Sequence, residues 1–195
     1  IKLMNNILRE IDKVRQKLKR GATETLLNTK PFADGMYRFS MFMINYYSRV
    51  RQDLKIDYDS FMIIQTVVSN NLYVLNKKKN IFNNSYNELE AELDKEYQKK
   101  NDIFETITSA KSESKLTVSS ICLVTGLPKE TVRRKVCELA KKNLIKNSKK
   151  DGISLGPAYK KVFQDFVPQT TTEVIKLLKS WEKSGVLKNL LLFKF

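Results

Sequence analysis

Leu3, Ile7, Ile11, Val14 and Leu18 recur at steps of four and three, so residues 3–20 are predicted to form an amphipathic helix that Gly21 stops. The same steps fit a coiled-coil seam across a dimer as well as packing on the helix's own domain. A broader apolar face follows from Met36 to about Lys55, with Phe39, Met43, Tyr46 or Tyr47, Val50 and Leu54 widened by Met41, Phe42 and Ile44. Asp57 or Asp59 can cap the next helix, which carries Phe61, Ile64, Val68, Leu72 and Leu75. Both helices are wide-faced and are expected to be well buried. Ser85 with Glu88 makes a capping box that opens a long helix through Leu89, Leu93, Tyr97, Phe104 and Ile107. Its acidic row, Glu88, Glu90, Glu92, Asp94 and Glu96, has a two-residue spacing that does not share a helical face, so it reads as a solvated surface.

From Leu116 to Gly156 the pattern changes to short elements with strong punctuation. Thr117 is the expected N-cap of a helix from Val118 to Val124, and Thr125-Gly126-Leu127-Pro128 breaks it. A second helix, Lys129 to Lys142, stacks Val132, Val136 and Leu139 on one stripe and spreads Lys129, Arg133, Arg134 and Lys141 around the rest. Leu144-Ile145 then enters a strand that turns at Lys150-Asp151-Gly152 and returns as Ile153-Ser154-Leu155, since Asp-Gly between apolar segments is a hairpin signal. This order is the anatomy of a helix-turn-helix with a hairpin wing.

The run Gly126-Leu127-Pro128-Lys129-Glu130-Thr131-Val132-Arg133-Arg134, continued by Leu139 and Asn143-Leu144-Ile145, resembles the winged helix-turn-helix of bacterial transcription regulators. Its second helix is similar to that of the Crp/Fnr family, a basic residue followed by Glu-Thr-Val, one residue, and Arg, while the Thr-Gly-Leu-Pro-Lys turn is closer to IclR-type regulators. The resemblance implies that Lys129, Glu130 and Arg134 read bases, with Thr131 near a phosphate. The pattern departs at Lys135, where the family has an apolar residue, and nothing upstream resembles the Gly-rich nucleotide-binding β-roll of Crp/Fnr proteins.

Beyond the wing, Pro157 to Val167 reads as a short basic helix with Tyr159, Val162, Phe163 and Phe166, ended by Pro168. Thr170 with Glu173 offers a second capping box for a last helix bearing Val174, Leu177, Leu178 and Trp181, before an apolar tail from Val186 to Phe195. The expected fold class is therefore mainly α, a helical N-terminal domain plus a winged helix-turn-helix with a small β-hairpin wing. Four segments are expected: 1–84 as a helical dimerisation region, 85–114 as connecting helix and hinge, 115–167 as the DNA-binding domain, and 168–195 as C-terminal helix and tail.

Charge sharpens this picture. The 195 residues hold 36 Lys and Arg against 21 Asp and Glu, a net +15, which favours a polyanionic partner. The surplus is uneven: Lys115 to Lys161 has 12 basic and 3 acidic residues, whereas Ser85 to Ser114 has 4 basic and 8 acidic. The absence of His removes the commonest general base and zinc ligand, and no phosphate-binding Gly-rich loop or nucleophile motif is present, so no catalytic residue, metal or cofactor is expected. Cys122 and Cys137 are expected to be small core residues. No apolar run approaches the roughly 20 residues that cross a bilayer. The start, Ile1-Lys2-Leu3-Met4, lacks a signal-peptide pattern, so the cytoplasm is the expected compartment, and Ile1 points to a trimmed upstream segment.

The expected function is sequence-specific binding of double-stranded DNA by a bacterial transcription regulator, with the second helix in the major groove. Beside the base readers, Arg133, Lys135, Lys141 and Lys142 would contact or steer toward phosphates, and Thr117, Ser119 and Thr131 would bond phosphate oxygens. Lys146, Lys149 and Lys150 on the wing would reach the neighbouring backbone or minor groove. A homodimer on two half-sites is expected, built by the N-terminal helices and the C-terminal tail. Met36, Met41, Met43, Tyr46, Tyr47 and Met62 are open to two readings, a helical core or dimer interface and a pocket for an apolar effector. Two alternatives to regulation remain: a protein-interaction or assembly module, in which Arg133 and Arg134 pair with acids, and a replication or nucleoid-type DNA-binding protein.

Overall fold

The computed structural model describes residues 31–99, 115–149 and 152–192. Among these residues the chain is mainly α, with seven α-helices and one two-stranded antiparallel hairpin. In chain order they are α1 (Phe32–Asp53), α2 (Tyr58–Lys79), a 3-10 turn (Ile81–Asn83), α3 (Tyr86–Lys99), α4 (Val118–Thr125), α5 (Lys129–Lys141), β1 (Ile145–Ser148), β2 (Gly152–Leu155), α6 (Tyr159–Ser184) and α7 (Val186–Leu192). The helix expected over residues 3–20, the far end of the connecting helix with its hinge up to 114, the hairpin tip Lys150-Asp151 and the end of the tail lie outside the described residues.

The described residues fall into two compact units, one within Asp59–Val162 and the other within Lys2–Tyr58 and Phe163–Phe195. This division differs from the four expected segments. Helices α2 and α3 belong with the segment from α4 to β2, while the helix after the hairpin crosses from one unit to the other at Val162.

The core of the first unit is aliphatic. Ile63, Ile64 and Val67 of α2 are buried, as are Leu93 of α3, Ile121 of α4, Val132, Val136 and Leu139 of α5, Ile145 of β1 and Ile153 and Leu155 of β2. The capping box at the start of α3 forms as its spacing predicts. Ser85 N and Oγ both donate to Glu88 Oε2, at 2.7 and 2.8 Å, and Glu88 N returns a longer bond to Ser85 Oγ at 3.4 Å. Lys160 Nζ lies 2.7 Å from Asp94 Oδ2, tying the start of α6 to α3.

The second unit is aromatic. Tyr46 of α1 lies 5.6 Å from Phe166 of α6 and Phe39 lies 6.3 Å from Trp181, between ring centroids. Helix α7 approaches α1 so closely at Gly35 that a Cβ there would stand 2.8 Å from Val186 Cγ1. Trp181 Nε1 donates to the Gly35 carbonyl at 3.1 Å. Contrary to the burial expected of the wide face of α1, Met41 and Ile44 are exposed, because the rings of the unit pack on the opposite side of that helix.

Pro168 does not end a helix: α6 runs through it from Tyr159 to Ser184. A proline inside a helix removes one N–H and crowds the preceding turn. Here the hydroxyls of Thr170, Thr171 and Thr172 donate to the carbonyls of Phe166, Val167 and Pro168 at 2.8, 3.0 and 3.0 Å, and the proline itself is exposed. Thr170 and Glu173 therefore form no capping box. Arg49 Nη2 of α1 donates to both, to Thr170 Oγ1 and Glu173 Oε2 at 2.9 Å each, and its guanidinium carbon sits 4.5 Å from the Phe166 ring centroid.

Candidate nucleic-acid interface

Thr117 caps α4 as expected, its hydroxyl accepting from Ser120 N at 3.1 Å. The helix ends on Gly126 at φ +73°, whose N–H bonds the Cys122 carbonyl at 2.8 Å. Pro128 then starts α5, supplying a fixed φ where no N–H is needed. Contact between α4 and α5, and between α5 and β1, makes a continuous block of helix, turn, helix and hairpin.

The hairpin is held at both ends by backbone. Residues pair as Ile145 with Leu155, Lys146 with Ser154, Asn147 with Ile153 and Ser148 with Gly152. Ile153 N reaches away from β1 to the Leu116 carbonyl at 2.9 Å, so the residues entering α4 flank β2. Gly152 has φ +77°, and a Cβ there would come within 2.6 Å of the Leu116 carbonyl oxygen. Asn143 turns the chain out of α5 at φ +55°, a conformation Asn tolerates. Its carbonyl accepts from Ala158 N at 3.0 Å, and a Cβ on Gly156 would be 2.1 Å from the same oxygen. Asn143, Gly156 and Leu116 were not singled out from the sequence as geometric keys, because only the close approach of distant backbone makes them so.

Helix α5 is sharply two-sided. Val132, Lys135, Val136 and Leu139 face inward. Lys129, Glu130, Arg133, Arg134, Cys137 and Lys141 are exposed, and Thr131 is half-buried. Ser119 is exposed on α4, Lys142 is exposed at the end of α5, and Lys149 is exposed after β1. Lys146 is half-buried on β1, while Lys150 lies outside the described residues. Seven of the expected contact residues thus share α5 and its C-cap with an accessible or half-accessible side chain, and the hairpin adds Lys146 and Lys149.

Lys135 corrects the expectation of a phosphate contact. Its side chain is 4% exposed, and Nζ lies 3.9 Å from Asp59 Oδ2 of α2, within the same unit. A residue on this inward stripe cannot reach a polyanion outside. The position is a core position, and the long aliphatic stem of the lysine fills it while the ammonium group extends toward an acid at the edge of the core. Cys137 is a second correction. It is exposed on the outward face of α5, and Cys122 is only half-buried, so neither thiol is a fully buried core residue.

The outward arginines are paired on their own helix. Arg133 Nη1 is 2.7 Å from Glu130 Oε1 and Arg134 Nη1 is 2.9 Å from Glu138 Oε1. Both guanidinium side chains nonetheless remain more than half exposed, at 54% and 63%. Such pairs are exchangeable at little cost for a phosphate or base edge. Glu138 was missed in the sequence, although its four-residue step from Arg134 is the signal that would have found it.

The residues expected to line an apolar effector pocket come from both units. Met36 and Met41 are exposed on α1, and Met62 belongs to the first unit while the others belong to the second. An open cavity of about 550 Å³ does occur in the second unit, lined by Tyr47, Val50, Arg51, Lys55, Ile56, Asp57 and Tyr58. It shares only Tyr47 with the expected set and carries charged residues. Burial pushes the Tyr47 phenol above its ordinary pKa, with a hydrogen bond to Tyr58 acting in the same direction. Among the described residues, no group of three or more Cys, Asp or Glu could hold a metal ion, and no helix is long and apolar enough to cross a membrane. Comparison of the chain with protein-family models, curated proteins and solved structures finds no match.

Proposed function

We propose that the chain is a sequence-specific double-stranded DNA-binding transcriptional regulator of the winged helix-turn-helix type. The observation that carries this reading is the two-sidedness of α5. Its inward stripe anchors it to the first unit, and its outward face presents Lys129, Arg133, Arg134 and Lys141. A helix held by one side and cationic on the other can enter a major groove. Lys129 and Arg134 have the donors to read guanine O6 and N7, and Glu130 can accept from cytosine N4. Arg133, Lys141 and Lys142 supply phosphate contacts, with Lys146 and Lys149 of the hairpin on the adjacent backbone and the hydroxyls of Thr117, Ser119 and Thr131 on phosphate oxygens. Lys135 has no part in it. The cytoplasm is the compartment this function requires, and a homodimer would supply the second half-site that one reader lacks.

The pairing of Arg133 and Arg134 with Glu130 and Glu138 favours a second reading, a protein-interaction or assembly module, because it lowers the free positive charge of α5. Binding of the full chain to random duplex DNA at two salt concentrations separates the two. The first reading requires tight binding that weakens steeply with salt. Absence of binding at low salt refutes it, and selection of bound sites from random duplexes distinguishes a regulator from a nucleoid-type protein.

A further inference from the structure

Helix α1 carries an outward stripe with the spacing of a coiled coil. Asp34, Tyr37, Met41, Ile44, Ser48 and Arg51 follow one another at alternating steps of three and four, the a and d positions of successive heptads. The opposite side of the helix is the one that buries Gly35, Arg49 and Val50 in the second unit. Along the outward stripe Tyr37, Met41 and Ile44 are 65%, 47% and 60% exposed, three large apolar side chains in a line. A contiguous apolar stripe on a helix calls for a partner.

The polar ends of the stripe say what that partner is. In an antiparallel pair of helices, a positions of one face d positions of the other. Folding the stripe back on a second copy about the point between Met41 and Ile44 sets Asp34 opposite Arg51, Tyr37 opposite Ser48 and Met41 opposite Ile44. Two-fold symmetry repeats each layer. At both ends Arg51 would join Arg38, whose Nε already lies 2.8 Å from Asp34 Oδ2, at the exposed side of that carboxylate; the small Ser48 leaves room for the Tyr37 ring, and the aliphatic residues meet at the centre. The competing occupant is the chain's own segment 2–20, whose residues hold seven Lys and Arg against two acidic residues. Helix α1 itself holds Arg38, Arg49 and Arg51 against Asp34 and Asp53, so a strongly basic segment finds no net complementary charge on it.

We infer that α1 is a homodimer interface, in which two copies pack antiparallel through this stripe with Asp34 of each copy facing Arg51 of the other. This deepens the dimeric part of the function proposed above, but stands on α1 alone and is tested without DNA.

Sedimentation of the full chain over a range of concentrations reads the interface directly. The unaltered chain is expected to dimerise, and Ile44→Asp to raise the dimer dissociation constant at least about 100-fold, because each copy then buries an unpaired carboxylate. Asp34→Arg and Arg51→Asp are each expected to weaken the dimer about tenfold or more by placing like charges in opposition. The double variant Asp34→Arg/Arg51→Asp is expected to recover most of that loss, since the swap restores both pairs. Circular dichroism of each variant, with Met41→Lys as a second apolar-stripe variant, separates lost association from lost folding. A monomeric unaltered chain, a dimer indifferent to Ile44→Asp, or a double variant no stronger than the singles overturns the inference. DNA affinity is not read in this experiment, so its failure is distinct from failure of the DNA-binding reading.

Discussion

Arg49 Nη2 and Glu173 Oε2 lie 2.9 Å apart with side-chain exposures of 7% and 15%, a nearly dry ion pair joining α1 to α6. Its satisfaction is lopsided. Glu173 also accepts from Asn45 Nδ2 at 2.9 Å, whereas Nε and Nη1 of Arg49 are buried without a hydrogen-bond partner. Removing one member should therefore differ sharply from replacing the pair. Glu173→Ala strands a buried guanidinium and is expected to cost about 3–5 kcal/mol. The double variant Arg49→Met/Glu173→Leu is expected to be neutral or stabilising, because an apolar pair of similar volume removes the desolvation of both charges. Urea denaturation of the three chains checks the order.

On DNA, the three basic side chains of α5 and the hairpin separate by exposure. Arg134→Ala is expected to cost about 1–3 kcal/mol at the preferred site and relax the preference at one base pair. Lys149→Ala should weaken binding to every sequence and flatten the salt dependence by about one unit, one phosphate contact. Lys135→Leu should leave both affinity and salt slope unchanged, since that ammonium already lies in the fold. Fluorescence anisotropy on specific and random duplexes at several salt concentrations distinguishes the three, and a reduced slope for Lys135→Leu would contradict its burial.

Two glycines should respond unequally to the same methyl group. At Gly156 the new Cβ would meet the Asn143 carbonyl oxygen at 2.1 Å, backbone that cannot swing aside, and Gly156→Ala is expected to destabilise the first unit by about 3 kcal/mol. At Gly126 nothing lies within 4 Å of the added atom, leaving only the left-handed backbone at φ +73° to resist, about 1 kcal/mol. Thermal melts of the two variants under identical conditions give the comparison.

Acid should loosen the seam between α2 and α3. Hydrogen bonds from Lys79 and Lys95 hold the Glu92 carboxyl down at about 2, from an ordinary 4.5. A carboxylate with a lowered folded pKa contributes stability that is fully present above its unfolded value and is lost as pH falls through the folded one. The contribution should therefore persist down to about pH 4.5 and fade toward pH 2. Carboxyl chemical shifts followed through that window should show the depressed midpoint, and Lys79→Met should raise it.

The segment from Leu116 to Gly156 was legible because its signals are local. Thr117 caps the helix three residues ahead, Gly126 and Pro128 break and restart it, and Gly152 opens the returning strand at φ +77°, each within a few residues. What escaped depends on distant partners. Pro168 looks like a stop until Thr170, Thr171 and Thr172 are seen back-bonding the turn around it and Arg49 holding Glu173 from another helix. Lys135 looks like one more cation on a basic helix until α2 places Asp59 beside it. For α1 the inward stripe was legible, since Phe39, Tyr46 and Val50 turn toward their own unit, but its width was not, because Met41 and Ile44 are as apolar as the buried positions and only the packing with α6 leaves them outside.

The bond from Ile153 N to the Leu116 carbonyl has a bearing on how copies of the chain can meet. A two-stranded hairpin ordinarily presents two open edges, each a template for another strand. Here one flank of β2 is already taken by the residues entering α4, and the remaining edge belongs to β1, four residues long and reading Ile145, Lys146, Asn147, Ser148. A short edge with a lysine at its middle is poor ground for strand addition. Growth of this hairpin from one copy to the next is thereby disfavoured.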